Sequence, residues 1–535
     1  MRVACIGGGP GGLFFAALLR AADPRVEVTV YERNRPDDVF GFGVVFSDAA
    51  LGAIDQADPA LLHALRDHGA HWNRIEVRVH GKRLRCGGNG MGAIARRTLL
   101  ALLRERAAAA GVRLRFEHEV RDPGELDGFD LVVAADGANS MTRGRFAGHF
   151  LPTVDVGVTK FIWLATTYMF DGLTFVHERG PDGVFAVHGY PYSADESTFI
   201  VETDEGSWRR AGLDAFDTTQ PPGPSDERSR AYLEGLFAGQ VDGHPLLTNN
   251  SRWANFRTVR TRTWRHGNLV LLGDAAHTAH FSVGSGTKMA MEDAATLVRS
   301  LAEHPGDVEG ALGAYEHARR PDVERIQGSA RPSLSWWEHF GRYHDSFGPE
   351  QFAFHFLTRS ITRGKVERRD PGFVAAMEAW WRQRHGAAPL DSPLRIEGLR
   401  LDRRVVPVRV GREGTWIESA GGGRLPALPL SRVRQSPPAP PFGLWLEAPD
   451  GEDDLPKAVA ELETGAAAGA VFAAVHGGTP VTRVLLSEEA RLSHELPAVL
   501  VDDGLDADGA ETLLLSGRAD AVGGTSDRTR KGTTP

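Results

Sequence analysis

Along the first 150 positions, short continuous apolar runs alternate with glycine breaks and amphipathic stretches. Val3 to Ile6 is one such run; Gly7 to Gly12 interrupts it, and Leu13 to Arg20 resumes as the start of a helix. Val26 to Tyr31 is a second apolar run, closed by Glu32. Strand, turn, helix and strand in that order predict a βαβ unit and a parallel sheet. Between about 150 and 260 the period changes to two, in FIWLA, LTFVHE, VFAVHGYPY and TFIVET, which predicts a half-buried antiparallel sheet. Helical patterns return at Leu312 to Pro321 and through WWEHF. A Gly/Ala/Pro-rich joint precedes Pro393 to Val410, and SPPAPP (Ser436 to Pro441) reads as a second extended linker. Beyond Lys457 the chain is Ala-rich, helical at first and then strand-like.

Composition narrows the class without naming the chemistry. The 535 residues have room for roughly two to four domains. A net charge of −9 leaves no general basic field for nucleic acid or an anionic membrane. Cys5 and Cys86 are too few for a disulfide framework or a thiolate metal cluster, which fits a reducing, cytoplasmic setting. Glycines interrupt the N-terminus where a signal peptide needs a continuous apolar helix, and no run approaches the ~18 apolar residues of a membrane span.

The first βαβ unit carries a phosphate-binding pattern. Gly7, Gly9 and Gly12 fill GxGxxG, with Pro10 opening the helix. The first glycine permits a tight turn, the second lets backbone approach a pyrophosphate, and the third lets helix pack on strand. Glu32, with Arg33 beside it, follows at the interval of a carboxylate that accepts hydrogen bonds from a ribose. The pattern predicts a dinucleotide and leaves NAD and FAD both open.

Two later segments decide between them. In DLVVAADGANSMTR (Asp130 to Arg143) an apolar strand runs into Asp136 and Gly137. Asn268 to Val298 begins as another strand, runs into Gly273 and Asp274, and continues through a glycine-broken loop into a helix. Singly, Asp274 fits a helix N-cap, Asp136 a turn and Arg96 a solvated helix charge. Taken in order, GxGxxG, DGxxSxxR and GDAAH with a following GxG resemble the single-component FAD-dependent aromatic hydroxylases of the p-hydroxybenzoate hydroxylase superfamily, over residues 1–390. In that likeness Asp274 holds the ribityl hydroxyls and Arg96 approaches the FAD phosphates. The backbone of Gly284, Gly286, Thr287 and Lys288 faces the pyrimidine side of the flavin ring.

The loop after GDAAH departs from the superfamily, which carries a Pro-Pro pair and ends in Gly-x-Asn. Here it has His280-Phe281 and Gly286-Thr287-Lys288. With GFGVVFSDAAL, KFIWLATT and STFIVETDEGSW, this variant resembles the salicylyl-CoA 5-hydroxylase and anthraniloyl-CoA monooxygenase subfamily. In such enzymes the antiparallel sheet roofs a substrate pocket, which Trp163, Phe175, His188, Tyr190, Tyr192 and Phe281 would line here. Aromatic residues at strand spacing equally fit ordinary core. His280 is the candidate catalytic side chain, since an imidazole near its ordinary pKa of ~6.5 suits substrate polarisation or proton relay. Packing alone accounts for it equally well.

The resemblance implies an α/β fold. A Rossmann-like FAD-binding domain of glutathione-reductase type (1–75, 92–150, 260–330) joins an antiparallel substrate sheet (76–91, 151–259) and closing helices (331–390). It implies FAD as cofactor, NADPH or NADH docking transiently as co-substrate, and O2. An electrophilic C4a-hydroperoxyflavin would hydroxylate an electron-rich aromatic or heteroaromatic small molecule, in aromatic catabolism or in natural-product (antibiotic) biosynthesis. No metal, nucleic-acid or membrane partner is implied, and a homo-oligomer is expected. Two other readings of the residues stay open: a flavin reductase or dehydrogenase without oxygen insertion, and a non-catalytic FAD-binding protein.

Residues 391–524 resemble the entry and closing segments of an old yellow enzyme barrel, with Gly517 and Arg518 at its phosphate-loop position. An eightfold barrel takes about 250 residues and only about 145 follow position 390, so a truncated TIM barrel is expected, without FMN and with a scaffold or oligomerisation role. Residues 525–535 are polar and expected to be disordered.

Overall fold

The computed structural model describes residues 1–525 apart from 219, 220, 222, 285, 412, 413, 436–438 and 440. Most of SPPAPP, and the expected disordered tail apart from Thr525, therefore lie outside the described residues. The chain divides into two compact units, Met1–Gly341 and Arg342–Pro535. The helices Pro349–Leu357, Arg363–Arg369 and Pro371–His385 belong to the second unit rather than to the flavin-binding part.

The first unit is built on the predicted βαβ. Arg2–Ile6 pairs in parallel with Glu27–Tyr31 on one side and with Leu131–Ala134 on the other, so the strand order reverses around it. Arg113–Arg115 and Leu269–Leu271 extend the two sides, and Arg265–His266 adds one antiparallel edge to complete six strands. Ligands of open α/β sheets bind beyond the carboxyl ends of the strands at such a reversal. All three motif turns leave there, after Ile6, Ala134 and Leu271. Helix Pro10–Ala22 starts with Pro at its first turn, where a missing N–H costs nothing. It buries Leu13, Phe14, Phe15 and Leu19 with Val3 and Cys5 in the sheet core.

A second sheet of eight strands follows the predicted segments, among them Pro152–Thr166, Leu173–Gly180, Gly183–Pro191 and Ser197–Thr203. The expectation of a half-buried sheet is corrected in its centre: every residue of Gly183–Pro191 and Ser197–Thr203 is buried. Helix Glu227–Phe237 covers one face through Leu233 and Phe237. On the other face Trp337 stacks on His177 and His188. Polar residues in these strands therefore look into a closed interior rather than into water.

The second unit corrects the expectation of an incomplete barrel. Val405–Gly411, Gly414–Glu418, Arg424–Leu428, Gly443–Glu447, Ala473–His476, Ala498–Val501 and Ala521–Gly524 form a closed barrel of seven strands. Neighbours are parallel except at Gly414–Glu418, which runs antiparallel to both of its own. A hairpin strand thus closes the ring where further strand–helix units would otherwise be needed. Val406, Val408, Ile417, Ala474 and Val499 fill it with Ile396 and Leu401 from a two-stranded hairpin.

Outside the barrel wall a buried ionic cluster ties helix Pro349–Leu357 to helix Pro480–Ser493. Glu488 lies 2.9 Å from His355 Nε2 and accepts a 2.5 Å bond from the Tyr343 hydroxyl, with Arg518 Nε at 3.8 Å. Arg518 spends its other donors on Thr358 Oγ1 and the His355 carbonyl. Hydrogen bonds and nearby cations hold Glu488 down to about 2 against its burial. Burial, with Arg518 beside it, lowers His355 to about 4. The arrangement is a neutral imidazole donating to a carboxylate balanced by guanidinium.

Candidate active site

The GxGxxG turn shows which glycines are forced. Gly7 sits at φ +106°, and a Cβ there would lie 2.3 Å from the Ala135 carbonyl oxygen. A Cβ on Gly12 would lie 2.2 Å from the Gly7 oxygen. Gly9 has nothing within 4 Å, so its backbone borders open space, and Gly137 at φ +81° does likewise. Two glycines close the turn against neighbouring backbone and two leave a cradle that a side chain would fill, as a pyrophosphate requires.

The predicted acids are fixed before any ligand arrives. Glu32 accepts from Gly8 N at 2.7 Å and from Asn34 N and Nδ2 at 2.9 and 2.8 Å. Arg33 beside it is exposed. Asp136 caps the following turn by accepting from Thr142 N at 3.0 Å, while its buried Oδ1 has no protein partner. Arg143 donates to the carbonyls of Ala275 and Ala138 at 2.9 and 2.6 Å and so locks two motif loops together. Burial pushes the Asp274 carboxyl up, opposed by His277, Arg96 and Arg143. Burial lowers the Arg96 guanidinium, opposed by Asp274. Helix Gly286–Glu303 begins beside Asp274, and its first N–H groups give the positive end of a helix dipole to the same space.

One cavity of about 610 Å³ joins this groove to the second sheet. From the cofactor candidates it brings together Gly9, Pro10, Arg96, Gly137, Asp274, Gly284, Gly286 and Thr287. From the substrate candidates it brings Trp163, Phe175, His188, Tyr190 and Phe281. Tyr190 donates to the Gly43 carbonyl at 3.1 Å, and burial pushes its phenol up to about 12. The remaining candidates stand back from the cavity wall. Gly7 and Gly12 form the back of the turn, Lys288 lies 3.5 Å from Glu292, and Tyr192 donates to Glu196. His280 sits behind Phe281, buried, with Nδ1 2.8 Å from the hydroxyl of Ser282, and Ser282 does line the cavity. His277, in the same loop, pairs with the buried Asp293 at 2.8 Å.

Several wall residues were not among the site candidates read from sequence. Gly43 to Val45 reach the cavity because Gly43–Ser47 pairs with Met91–Ala95, a contact between distant segments. Ala254 to Arg257 reach it on a strand paired with Pro152–Thr166 across a bulge between Val156 and Lys160.

The open backbone at Gly9 and Gly137, the buried Asp274 and the start of helix Gly286–Glu303 line one continuous cavity whose residues could hold an extended dinucleotide. A family model of FAD binding domains matches residues 129–329. A salicyloyl-CoA 5-hydroxylase from a Streptomyces species is 60% identical over 532 residues, covering 98% of this chain and 100% of that protein. The chain belongs to the FAD-dependent aromatic hydroxylases. Another relative of this hydroxylase is a 3-hydroxy-4-methyl-anthranilyl-[aryl-carrier protein] 5-monooxygenase from Streptosporangium sibiricum, 42% identical over 63% of the chain and 89% of that protein. In fold, the hydroxylase is similar to the solved 2-methyl-3-hydroxypyridine-5-carboxylic acid oxygenase, with a TM-score of 0.51 and 21% identity over 67% of the chain and 98% of that structure.

FAD is therefore the cofactor, with NAD(P)H and O2 as co-substrates. Bound FAD supplies a reduced ring that activates dioxygen, so that one oxygen atom passes to an aromatic ring. In that chemistry a protein's share is to position the aromatic ring, to exclude water and to manage protons. Among the described residues, no group of three or more His, Cys, Asp or Glu could hold a metal, and no helix is long and apolar enough to cross a membrane.

Proposed function

We propose that this enzyme hydroxylates a salicyloyl ring carried as its CoA thioester. The observation that carries the reading is 60% identity over the full length of a salicyloyl-CoA 5-hydroxylase, barrel segment included. Phe161, Trp163, Phe175 and Phe281 give the cavity the apolar aromatic wall that a planar ring needs. The test is substrate-stimulated oxidation of NADH and of NADPH with salicyloyl-CoA, anthraniloyl-CoA, tryptophan and a hydroxypyridine, under labelled O2. Salicyloyl-CoA is expected to stimulate most and to yield product carrying the label. Stimulation without labelled product would make the enzyme a flavin reductase instead.

Within the site, Glu32 binds the adenosine ribose, Arg96 the phosphates and Asp274 the ribityl chain of a glutathione-reductase-type dinucleotide fold. Residues 1–75, 92–150 and 260–330 form that fold, while 76–91 and 151–259 carry the substrate. His280 acts on substrate through Ser282 rather than by contact. His280→Ala is expected to retain FAD while kcat for product falls on the order of 100-fold, the low end of an acid–base contribution. Product formed per NAD(P)H consumed measures it, and wild-type coupling would remove the assignment.

The barrel is a shortened relative of the old yellow enzyme fold and serves as a scaffold for a cytoplasmic homo-oligomer. A Cβ on Gly517, at φ +77°, would lie 2.7 Å from Gln351 Nε2, and Arg518 is committed to Thr358 and His355. The residues at the phosphate-loop position are thus used internally. Denatured enzyme is expected to release FAD alone, and stoichiometric FMN in the chromatogram would overturn the scaffold role.

A further inference from the structure

Beside the cavity described above lies a second one of about 530 Å³, within the range of small-molecule sites. Their common wall is a three-stranded sheet of Gly43–Ser47, Met91–Ala95 and Ala70–Trp72. In such a sheet residues directly opposite share a face, and successive rows alternate between faces. The last row, with Ser47 opposite Met91, faces the first cavity. The row before it, with Phe46 and His71 on either side of Gly92, faces the second. Ser47 and Met91 are half-buried, and Asp48 and His71 are exposed, so this end of the sheet is open to solvent. A flexible chain rounding it passes from one cavity to the other across a single layer of backbone.

The second cavity has an apolar floor of Phe46, Leu65 and Ile94, all buried, and a polar rim of Asp48, Arg66 and His71. Asp48 Oδ1 lies 2.9 Å from His71 Nε2, and a Cβ on Gly90 would fall on that carboxylate, so the glycine makes room for the pair. Arg66 is exposed and paired with no carboxylate among the described residues, the adjacent Asp67 turning to His63 at 3.5 Å. A basic residue in the last turn of helix Pro59–His68 offsets the helix dipole, which explains its sign but not the apolar hollow beside it.

We propose that the second cavity binds the 3′-phosphoadenosine end of CoA, an assignment that rests on the salicyloyl thioester reading above. The first cavity has to hold both flavin and aryl ring, so the substrate beyond its thioester lies outside it. Pantetheine, a flexible amide chain, rounds the sheet at Ser47 and Met91. The purine lies on the floor of Phe46, Leu65 and Ile94, and its amino group donates to Asp48. That carboxylate repels phosphate, so the phosphates keep to Arg66, whose guanidinium forks onto their oxygens. A chain of net charge −9 needs such a local cation to hold so anionic a tail.

The test compares FAD-loaded wild type, Arg66→Glu and Arg66→Lys with salicyloyl-CoA and with salicyloyl-pantetheine, which ends before the nucleotide. Arg66→Glu is expected to raise KM for salicyloyl-CoA on the order of tenfold at unchanged kcat, and Arg66→Lys to restore part of it. Salicyloyl-pantetheine does not reach Arg66, so its KM should be the same with all three enzymes and above that of salicyloyl-CoA in wild type. KM for NAD(P)H should not move either, which separates the CoA nucleotide from that of the nicotinamide co-substrate. An unchanged KM for salicyloyl-CoA in Arg66→Glu overturns the proposal, as does an equal rise for salicyloyl-pantetheine or for NAD(P)H. Adenosine 3′,5′-bisphosphate alone is the direct probe: in a calorimetric titration wild type should bind it and Arg66→Glu should not. A wild type that hydroxylates free salicylate and ignores both thioesters refutes the substrate reading instead. The titration then decides the cavity by itself: binding that Arg66→Glu abolishes keeps a nucleotide site there, and no binding overturns it.

Discussion

Gly12→Ala is expected to yield enzyme that binds FAD on the order of 10- to 100-fold more weakly than wild type, from an overpacking cost of about 1–3 kcal/mol. The added methyl would meet the Gly7 carbonyl oxygen at 2.2 Å and the Cys5 sulfur at 3.0 Å. The first of these is backbone, and Gly7 is itself pinned against Ala135. Neither side can yield, so helix Pro10–Ala22 must lift from the sheet and carry the phosphate cradle with it. Gly9→Ala makes the informative contrast, because its methyl would meet nothing in the protein. That variant should keep the wild-type melting temperature and still lose flavin, whereas Gly12→Ala should lose both. Flavin absorbance per protein after gel filtration, with a thermal melt of each, separates them. Full flavin content in Gly12→Ala would contradict the packing argument.

Glu488→Ala is expected to destabilise the barrel unit by about 3–5 kcal/mol, because it leaves Arg518 buried without its counter-charge and the Tyr343 hydroxyl buried without its acceptor. Acid should do by degrees what the substitution does at once. Glu488 has its pKa lowered on folding from 4.5 to about 2, so its contribution is complete above 4.5 and is lost as pH falls from there toward 2. His355 is lowered from 6.5 to about 4, so the unfolded chain takes up a proton that the folded one refuses, and stability falls between those values. Both effects have the same sign. Thermal unfolding followed by circular dichroism at pH 7.5 and pH 5 should show the wild-type barrel unit melting earlier at the lower pH. Glu488→Ala should already melt early at the higher one. A variant as stable as wild type would mean that the cluster is incidental.

What could be read from sequence divides along physical lines. Gly7, Gly9, Gly12, Asp136 and Asp274 were legible because their constraint is local: a turn leaving a strand end and a carboxylate at fixed spacing from it. The aromatic positions on Leu173–Gly180 and Gly183–Pro191 were legible as strand residues, but their inward direction depended on the helix that covers them. Glu202 lies in STFIVETDEGSW, a segment that sequence marked only as resembling a subfamily. Its place beside His188 exists only through the register of two strands. Gly43 lies in GFGVVFSDAAL, another segment marked only by resemblance, and its place on the wall was hidden for the same reason: a Cβ there would lie 2.5 Å from Thr198 Oγ1, a contact 155 positions away. The barrel misled because residue counting assumes uniform strand–helix units, and Gly414–Glu418 breaks that assumption with a single reversed strand.

That reversed strand also sets how the second unit tolerates editing. Its hydrogen-bond ring is closed by Ala521–Gly524 pairing with Val405–Pro407, the last strand with the first. A closed ring has no edge at which a neighbouring chain can add a strand. Shortening it from the C-terminal side therefore has a threshold: deletions beyond Gly524 spare the ring, and a deletion that takes Ala521–Gly524 opens two raw edges at once. For anyone building fusions, Thr525 marks where the protein stops being divisible.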